Sequence, residues 1–211
     1  YSRLPDAVVV EGPMAGGHLG FTLEELNDDN FKLENILPAV IEEVRKAERP
    51  DHKIPVIAAG GIYSGHDIRR FLQLGADGVQ MGTRFVTTDE CDAAAEFKEA
   101  FLKAKKEDIT IIKSPVGLPG RAIKNSFLEK VDAGATTPFR CVYHCIKTCD
   151  FRKSPYCIAQ ALINAQKGRL NMGFAFAGHN TYRVDKILPV KELINSLITE
   201  FEEANPFPAS K

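Results

Sequence analysis

The sequence has almost no net charge and no long apolar segment. Its 27 basic and 28 acidic residues leave a formal net charge of -1, which argues against nucleic acid or an anionic membrane as the main partner. No apolar run approaches the ~20 residues that a helix needs to cross a bilayer. With 44% hydrophobic and 26% charged residues, the composition is that of an ordinary globular protein, and we expect a small molecule as its partner.

The cysteines are few and unevenly spread, with an odd total of 5. Such a set fits a reducing cytoplasm better than a secreted disulfide framework. Cys-x-x-Cys pairs are missing, but four thiols and one imidazole lie close together in the sequence and could surround zinc or an iron–sulfur cluster. The residues of this predicted metal site are Cys141, Cys145, Cys149 and Cys157, with His144 between them. The alternative is a buried thiol cluster or a set of reducible surface cysteines.

Short apolar runs that end in glycine recur through the first half of the chain. Residues 8–11 lead into a Gly-Gly-His turn, residues 55–59 end at a Gly-Gly pair, and residues 78–81 end at a Gly-Thr pair. Such runs are typical of buried parallel strands. Because helical patterns separate them, the order predicts a parallel sheet with right-handed crossovers.

Apolar spacing predicts helices over 33–46 and 190–204, and Ser64 with Asp67 predicts a capped helix start after the second glycine turn. The remaining predicted elements are a helix from Thr88 or Asp89 to Lys106, a strand over 109–112, a helix over 121–131 and a helix capped by Ser154.

The alternation of strand, turn and helix stops after Glu107. We therefore predict two parts, a cofactor-binding unit over 1–107 and a mostly helical extension over 108–211. The extension holds a pocket-closing loop over 114–120, the cysteine-rich segment and the terminal helices. The first strand follows only a few residues after the start of the sequence, and a parallel strand needs neighbours. We expect a preceding segment to supply them.

Glycine turns at successive strand ends suit a phosphate held by backbone N–H groups, because an anion must approach the main chain closely. Gly60, Gly61, Gly82 and Thr83 are the expected donors, with a favourable dipole from the helix after Ser64. Tight turns without a ligand are the alternative.

His18 follows two glycines, and histidine is the side chain that exchanges protons near neutral pH. We interpret it as an acid or base beside the cofactor; a histidine packed at a strand end and bonded to backbone is the alternative. His179, in a Gly-His-Asn turn, is expected at the surface; the alternative is that it helps to line the pocket from the extension.

Four motifs in order resemble the nitronate monooxygenase family, which also contains FMN-dependent enoyl-acyl-carrier-protein reductases. They are EGPMAGGHLG at 11–20, AAGGI at 58–62, QMGTRF at 80–85 and KSPVGLPGR at 113–121. The resemblance runs from about Asp6 to Val131.

The resemblance implies a TIM (β/α)8 barrel that binds FMN at the carboxyl ends of its strands. This chain would hold the last three βα units of such a barrel and the extension, and an amino-terminal barrel segment would be its partner. FMN would contact Ala15, Gly16, Gly17, Ala59, Gly60, Gly61, Gly82 and Thr83, and His18 would be the catalytic residue.

The activity implied is oxidation of nitronates or nitroalkanes with O₂. A second hypothesis is an enoyl-acyl-carrier-protein reductase that uses NAD(P)H through the same flavin. A third is an inert barrel fragment or a cysteine-metal module. Whether the chain forms a homo-oligomer stays open.

Overall fold

The computed structural model describes residues 3–141, 144–147 and 149–204. The strands are β1 (Val8–Glu11), β2 (Gly17–His18), β3 (Val56–Ala59), β4 (Gly78–Gln80), β5 (Ile109–Lys113) and β6 (Pro119–Ile123). The α-helices are α1 (Leu33–Ala47), α2 (Gly65–Gln73), α3 (Thr83–Val86), α4 (Ala95–Lys103), α5 (Ser126–Asp132), α6 (Ile158–Gln166) and α7 (Val190–Glu203). Short 3₁₀ helices cover Glu25–Asn27, Asp29–Phe31, Lys106–Asp108 and His179–Arg183.

The first half forms the predicted parallel sheet, with strand order β1-β3-β4. Both pairings are parallel, and Ala58 lies opposite Val10 on one side and Val79 on the other. Helices α1 and α2 cover the sheet and bury Leu37 and Phe71 in one core with the strands. Because each strand runs in the same direction, the three glycine turns that follow the strands emerge at one edge of the sheet.

The start of α2 is also as predicted. Ser64 accepts a hydrogen bond from the Asp67 backbone N–H, and the Asp67 carboxylate accepts from the Ser64 N–H in return. This capping box satisfies two backbone donors at once and fixes where the helix begins. Helix α7 packs against α2, one of the helices that cover the first sheet.

A second sheet, with strand order β2-β6-β5, is antiparallel and was not predicted in this form. The two-residue strand β2 pairs with β6, which places His18 opposite Gly120 and Gly17 opposite Arg121. The predicted helix over 121–131 is therefore wrong in its first part: residues 119–123 are a strand, and the helix is α5. Pairing with distant strands decided the conformation of this segment, and local apolar spacing does not reveal such pairing.

The predicted long helix from Thr88 to Lys106 is also shorter than expected. The hydroxyl of Thr88 donates to the Phe85 carbonyl at 2.8 Å, and its backbone bridges to Leu188. These contacts end α3 and leave an irregular stretch before α4. Among the helices of the described residues, none has the length and apolar character that crossing a membrane requires.

The second half has its own aromatic core beneath the antiparallel sheet. The ring centroids of Phe127, Tyr156 and Phe174 lie 5.2 to 6.1 Å apart. Phe174 also packs edge-on against Phe176, with centroids 5.2 Å apart. The core joins β5, β6, α5 and α6. The predicted division at residue 107 stays a prediction.

Candidate functional site

The three glycine turns surround one cleft of about 290 Å³ at the carboxyl edge of the parallel sheet. It brings together all eight residues expected to contact a cofactor: Ala15, Gly16, Gly17, Ala59, Gly60, Gly61, Gly82 and Thr83. The sequence therefore located this cleft. The ligand that fills it stays a prediction.

Glycine is required by the backbone in the turn after β3. Gly60 and Gly61 have φ angles of 88° and 82°, a region that other residues adopt at a cost. A Cβ atom on Gly61 would also lie 2.7 Å from the Cβ of Met14, in the neighbouring turn. The two turns therefore pack closely, and their main chains form one continuous wall of the cleft.

Gly82 differs, because nothing in the chain requires a glycine there. A Cβ atom on Gly82 would meet no described atom within 4 Å, and its φ is -123°. The residue lines the cleft and is exposed, so the position beside it is open. A Cβ atom on Gly178 would lie 2.8 Å from the neighbouring Thr83 hydroxyl, so glycine at position 178 leaves room for that hydroxyl. This arrangement fits the phosphate end of FMN.

The N–H groups at the start of α2 bind carboxylates of the chain itself. Those of Tyr63 and Ser64 donate to the Asp67 carboxylate at 3.0 and 2.9 Å. The N–H of Gly65 donates to Glu200 on α7 at 2.7 Å. These three donors are therefore occupied, and the favourable dipole expected from this helix stays a prediction.

His18 lies beside the cleft and does not line it. Its Nε2 is 2.7 Å from the hydroxyl of Ser114, and its ring packs edge-on against Phe176 with centroids 5.0 Å apart. Phe176 is a cleft residue, so one aromatic ring links the histidine to the cavity. Partial burial lowers the pKa of His18 from its ordinary value, so the imidazole is neutral at pH 7. The hydrogen-bond partner of the ring is the Ser114 side chain, whereas the alternative from the sequence expected a backbone group.

Arg121 is a buried cation directly behind the His18 turn. Its Nη1 donates to the carbonyls of Pro13 and Ala15, both at 2.6 Å, and only 7% of the residue is exposed. Burial lowers the pKa of Arg121 to about 10, which still leaves it protonated at pH 7. Among the described residues, no carboxylate forms an ion pair with it. Arg121 thus holds the Gly-Gly-His turn in place and adds positive charge next to the cleft.

The far wall of the cleft comes from the last third of the chain, and sequence reasoning did not assign it. Phe176, Ala177, Gly178 and Asn180 all line the cavity. Asn180 Nδ2 donates to the Gly61 carbonyl at 2.6 Å and so ties this wall to the second glycine turn. The Gly-His-Asn turn was the available signal, since it repeats the glycine-histidine pattern of residues 16–18.

His179 is half-buried and lies within this wall, not at the surface as expected. Its backbone N–H donates to the Met14 carbonyl at 3.0 Å. Burial, and then the charges of Arg121 and Lys106, lower the pKa of His179. The imidazole is therefore neutral at pH 7.

The four clustered cysteines line a separate cavity of about 350 Å³, together with His144. All four are free thiols, and Cys145 is exposed. Within the described ranges, no three histidine, cysteine, aspartate or glutamate side chains are arranged to hold a metal ion. The structure therefore gives no support to the metal site predicted at Cys141, Cys145, Cys149 and Cys157, because a shared cavity wall does not bring the thiols to one point.

Comparison with protein-family models gives a match over most of the chain. The family model described as nitronate monooxygenase matches residues 1–200. Among curated proteins, a probable nitronate monooxygenase of Staphylococcus saprophyticus is 34% identical over 129 residues, which is 60% of this chain and 34% of that protein. A protein of the same description from Staphylococcus aureus is 36% identical over 127 residues, again covering 60% and 34%.

Solved structures give similar results over more of the chain. FabK from Thermotoga maritima superposes with a TM-score of 0.69 at 30% identity, over 94% of this chain and 55% of that protein. Nitroalkane oxidase from Streptomyces ansochromogenes superposes with a TM-score of 0.65 at 29% identity, over 94% and 52%. The chain thus matches about a third of the length of these curated relatives and about half of these solved structures.

Proposed function

The chain belongs to the nitronate monooxygenase family, and from this premise we propose that it carries the phosphate-binding edge and the catalytic histidine of an FMN-dependent oxidoreductase. The observation that carries the proposal is the convergence of three glycine turns on one cleft, with the open space at Gly82 inside it. FMN, when bound, supplies the electron-accepting chemistry.

Several parts of the chain would contribute to FMN binding. Backbone N–H groups at Gly60, Gly61, Gly82 and Thr83 would hold the phosphate, with the Thr83 hydroxyl as a further donor. The Ala15-Gly16-Gly17 turn would approach the remainder of the cofactor. Asn180 would keep the far wall aligned with the Gly61 turn through its hydrogen bond.

His18 would handle the proton of the substrate or orient an anionic substrate. A neutral imidazole at pH 7 can accept a proton, and burial beside Phe176 keeps it neutral. The buried charge of Arg121 favours an anion in this region, which suits a nitronate. The proposed reaction is therefore oxidation of a nitronate with O₂.

The reductase hypothesis remains the second candidate because the four sequence motifs are shared between the two activities. Its substrate would be an enoyl thioester, with NADH or NADPH as electron donor. Rapid anaerobic bleaching of the bound flavin by NADH or NADPH would favour the reductase. Nitrite release from an alkyl nitronate, with O₂ consumption, would favour the monooxygenase.

We also propose that the three parallel strands are the last βα units of a TIM barrel. Among the described strands, β1 pairs only with β3, so its outer edge is free to pair with a further strand. An apolar groove of about 400 Å³ lies beside it, lined by Pro5, Val8, Val44 and neighbouring residues. A preceding segment of barrel strands would cover both, and it would complete the pocket for the flavin ring.

The test of the cofactor proposal is flavin binding to the chain and to Gly82→Ala. The methyl group would enter the cleft without meeting the protein, so we expect an unchanged unfolding temperature and an FMN affinity at least tenfold weaker. Gly20→Ala is the matched control, since its Cβ also meets no described atom within 4 Å and the residue does not line the cleft. Equal FMN affinity in Gly82→Ala and the unsubstituted chain would refute the proposed site.

A further inference from the structure

A separate cavity of about 300 Å³ lies in the second half of the chain, beside helices α5 and α6. Its wall comes from α5, from residues 135–139, from residues 156–164 and from residues 171–172. Among the described residues, none lines both this cavity and the cleft at the glycine turns. The volume is at the lower end of the range for small-molecule pockets, roughly 300–1,000 Å³. We call this space the α5–α6 cavity.

The hydroxyl of Tyr156 is the feature of this cavity that points to a ligand. Tyr156 is only 3% exposed, yet its hydroxyl forms no hydrogen bond with any described residue. Within the described part of the chain, no fully buried polar side-chain atom lacks a partner. The hydroxyl oxygen therefore keeps some accessible surface, and the space that Tyr156 lines is the α5–α6 cavity. Polar groups in protein interiors are nearly always hydrogen-bonded, so this donor is available to a molecule inside the cavity.

Neighbouring aromatic rings fix the position of the Tyr156 hydroxyl. The Tyr156 ring packs edge-on against Phe127 and Phe174, with centroids 5.2 and 6.0 Å apart. The Thr137 N–H donates to the Pro155 carbonyl at 2.6 Å, which ties one rim of the cavity to the residue before Tyr156. Because the donor is already held in place, a ligand would bind it with little further loss of side-chain freedom.

A second buried polar group, the amide of Asn164, lies in the same wall. Asn164 is 5% exposed; its Nδ2 donates to the Met172 carbonyl at 3.2 Å, and its Oδ1 accepts from Gln160 at 3.3 Å. An amide side chain can donate two hydrogen bonds and accept two, so these contacts leave one N–H and one lone pair. The apolar part of the wall includes Phe127, Val131, Pro138, Phe139, Ala161 and Met172.

The charges around the α5–α6 cavity favour a neutral ligand. Among the described residues that line it, Lys130 alone is charged, and that residue is exposed. Burial and then the negative charge of Asp132, at the end of α5, raise the pKa of Tyr156 to about 12. The phenol is therefore protonated at pH 7 and can donate. Since the cavity contains no buried counter-ion, neither an anion nor a cation would be stabilised there.

We propose that the α5–α6 cavity binds a small, neutral, mostly apolar molecule whose carbonyl oxygen accepts a hydrogen bond from Tyr156. Asn164 offers a further polar contact, and the apolar wall holds the rest of the molecule. The inference is independent of the proposed function, because it involves neither the flavin cleft nor His18.

Acetophenone is the probe for this site, because it is neutral and joins one aromatic ring to one carbonyl group. Isopropylbenzene has a similar size and no acceptor, and benzoate adds a negative charge. The experiment measures the affinity of all three for the chain and for Tyr156→Phe by ligand-observed NMR. We expect Tyr156→Phe to weaken acetophenone binding about three- to tenfold, as for the loss of one hydrogen bond. Isopropylbenzene should bind the variant equally well or better.

Tyr156→Phe retains the ring and its aromatic contacts. Because the lost hydroxyl has no partner in the described part of the chain, we expect the urea midpoint to stay unchanged or to rise. Tyr182→Phe is the matched control. Tyr182 is half-buried and lies outside the cavity, so this variant should leave acetophenone binding unchanged.

Unchanged acetophenone binding in Tyr156→Phe, or an equal loss of acetophenone and isopropylbenzene, would overturn the inference. A lower urea midpoint in Tyr156→Phe would do the same, because it would reveal a partner for the hydroxyl within the chain. Tighter binding of benzoate than of acetophenone would contradict the neutral ligand class. No acetophenone binding at millimolar concentration would also overturn the inference, and the cofactor proposal, which flavin binding tests, would still stand.

Discussion

The two sheets of this protein contribute to the site in different ways. The parallel sheet β1-β3-β4 ends in glycine turns, so it offers main-chain surface to the cleft. The antiparallel sheet β2-β6-β5 offers side chains: it carries His18 and Arg121 and leads into Ser114. The comparison indicates that the proposed cofactor binding depends on backbone conformation in the parallel sheet. The proposed proton transfer depends instead on side chains that long-range strand pairing brings together in the antiparallel sheet.

The largest effect is expected at His18, on the edge strand β2 of the antiparallel sheet. His18→Gln removes the imidazole and keeps a group that can bond to Ser114, so the rate with a nitronate should fall by about 10²–10⁴-fold. Flavin affinity should change little. Steady-state kinetics measure the first effect and fluorescence titration the second. His66→Gln, an exposed position on α2, is the control, and a full rate in His18→Gln would exclude His18 from the reaction.

Substitutions in the turns of the parallel sheet are expected to reduce stability through backbone strain. Gly61→Val forces a branched side chain into a backbone with φ of 82° and against Met14. Strain of about 1–3 kcal/mol and overpacking of similar size add to roughly 2–6 kcal/mol of lost stability. We expect a lower urea midpoint and no FMN uptake. Normal stability would show that the turn adopts another conformation.

Arg121 connects the two sheets, since it lies on β6 and holds the turn that follows β1. Arg121→Met leaves the buried carbonyls of Pro13 and Ala15 without their donor, at a cost of about 1–3 kcal/mol. Equilibrium unfolding in urea measures this loss. Arg152→Met, whose guanidinium lies over Phe151, is the control with an equal change of charge. A stabilised Arg121→Met would mean that relief of the buried charge outweighs the two hydrogen bonds.

The pH dependence should report the protonation of His18 on the antiparallel sheet. Burial lowers the pKa of His18 below 6.5. The imidazole therefore becomes protonated, and can no longer accept a proton, only when the pH falls below this lowered pKa. We expect kcat/KM to be level at pH 7 and then to fall about tenfold per pH unit below the lowered pKa. A pH–rate profile measures this fall in kcat/KM at acid pH (the acid limb), and His18→Gln should abolish it. A limb centred above pH 6.5 would contradict the assignment.

The smallest effect is expected at Ser114. Ser114→Ala removes the 2.7 Å hydrogen bond to His18 Nε2, which is worth about 0.5–1.5 kcal/mol. The rate should fall about three- to tenfold, and the acid limb of the pH profile should move. Ser154→Ala, outside the site, serves as the control. A change in FMN affinity without a change in rate would assign Ser114 to binding instead.

The sequence alone located the parallel sheet and the glycine turns. Strand β3 is a continuous apolar run and β1 holds three valines in a row, and a parallel strand needs little more than such a run followed by a turn. The capping box at Ser64 and Asp67 was equally visible, because its two residues are three apart and interact locally.

Tertiary structure decided the rest of the site. Residues 119–123 became a strand because β5, joined to them by a short loop, and β2, distant in sequence, both pair with them. The far wall at Gly178 and Asn180 reaches the cleft through contacts with Met14 and Gly61, more than 110 residues away. The reason is physical: local spacing records which face of a segment is apolar, whereas pairing, burial of Arg121 and the contact between His18 and Ser114 arise only when distant segments meet.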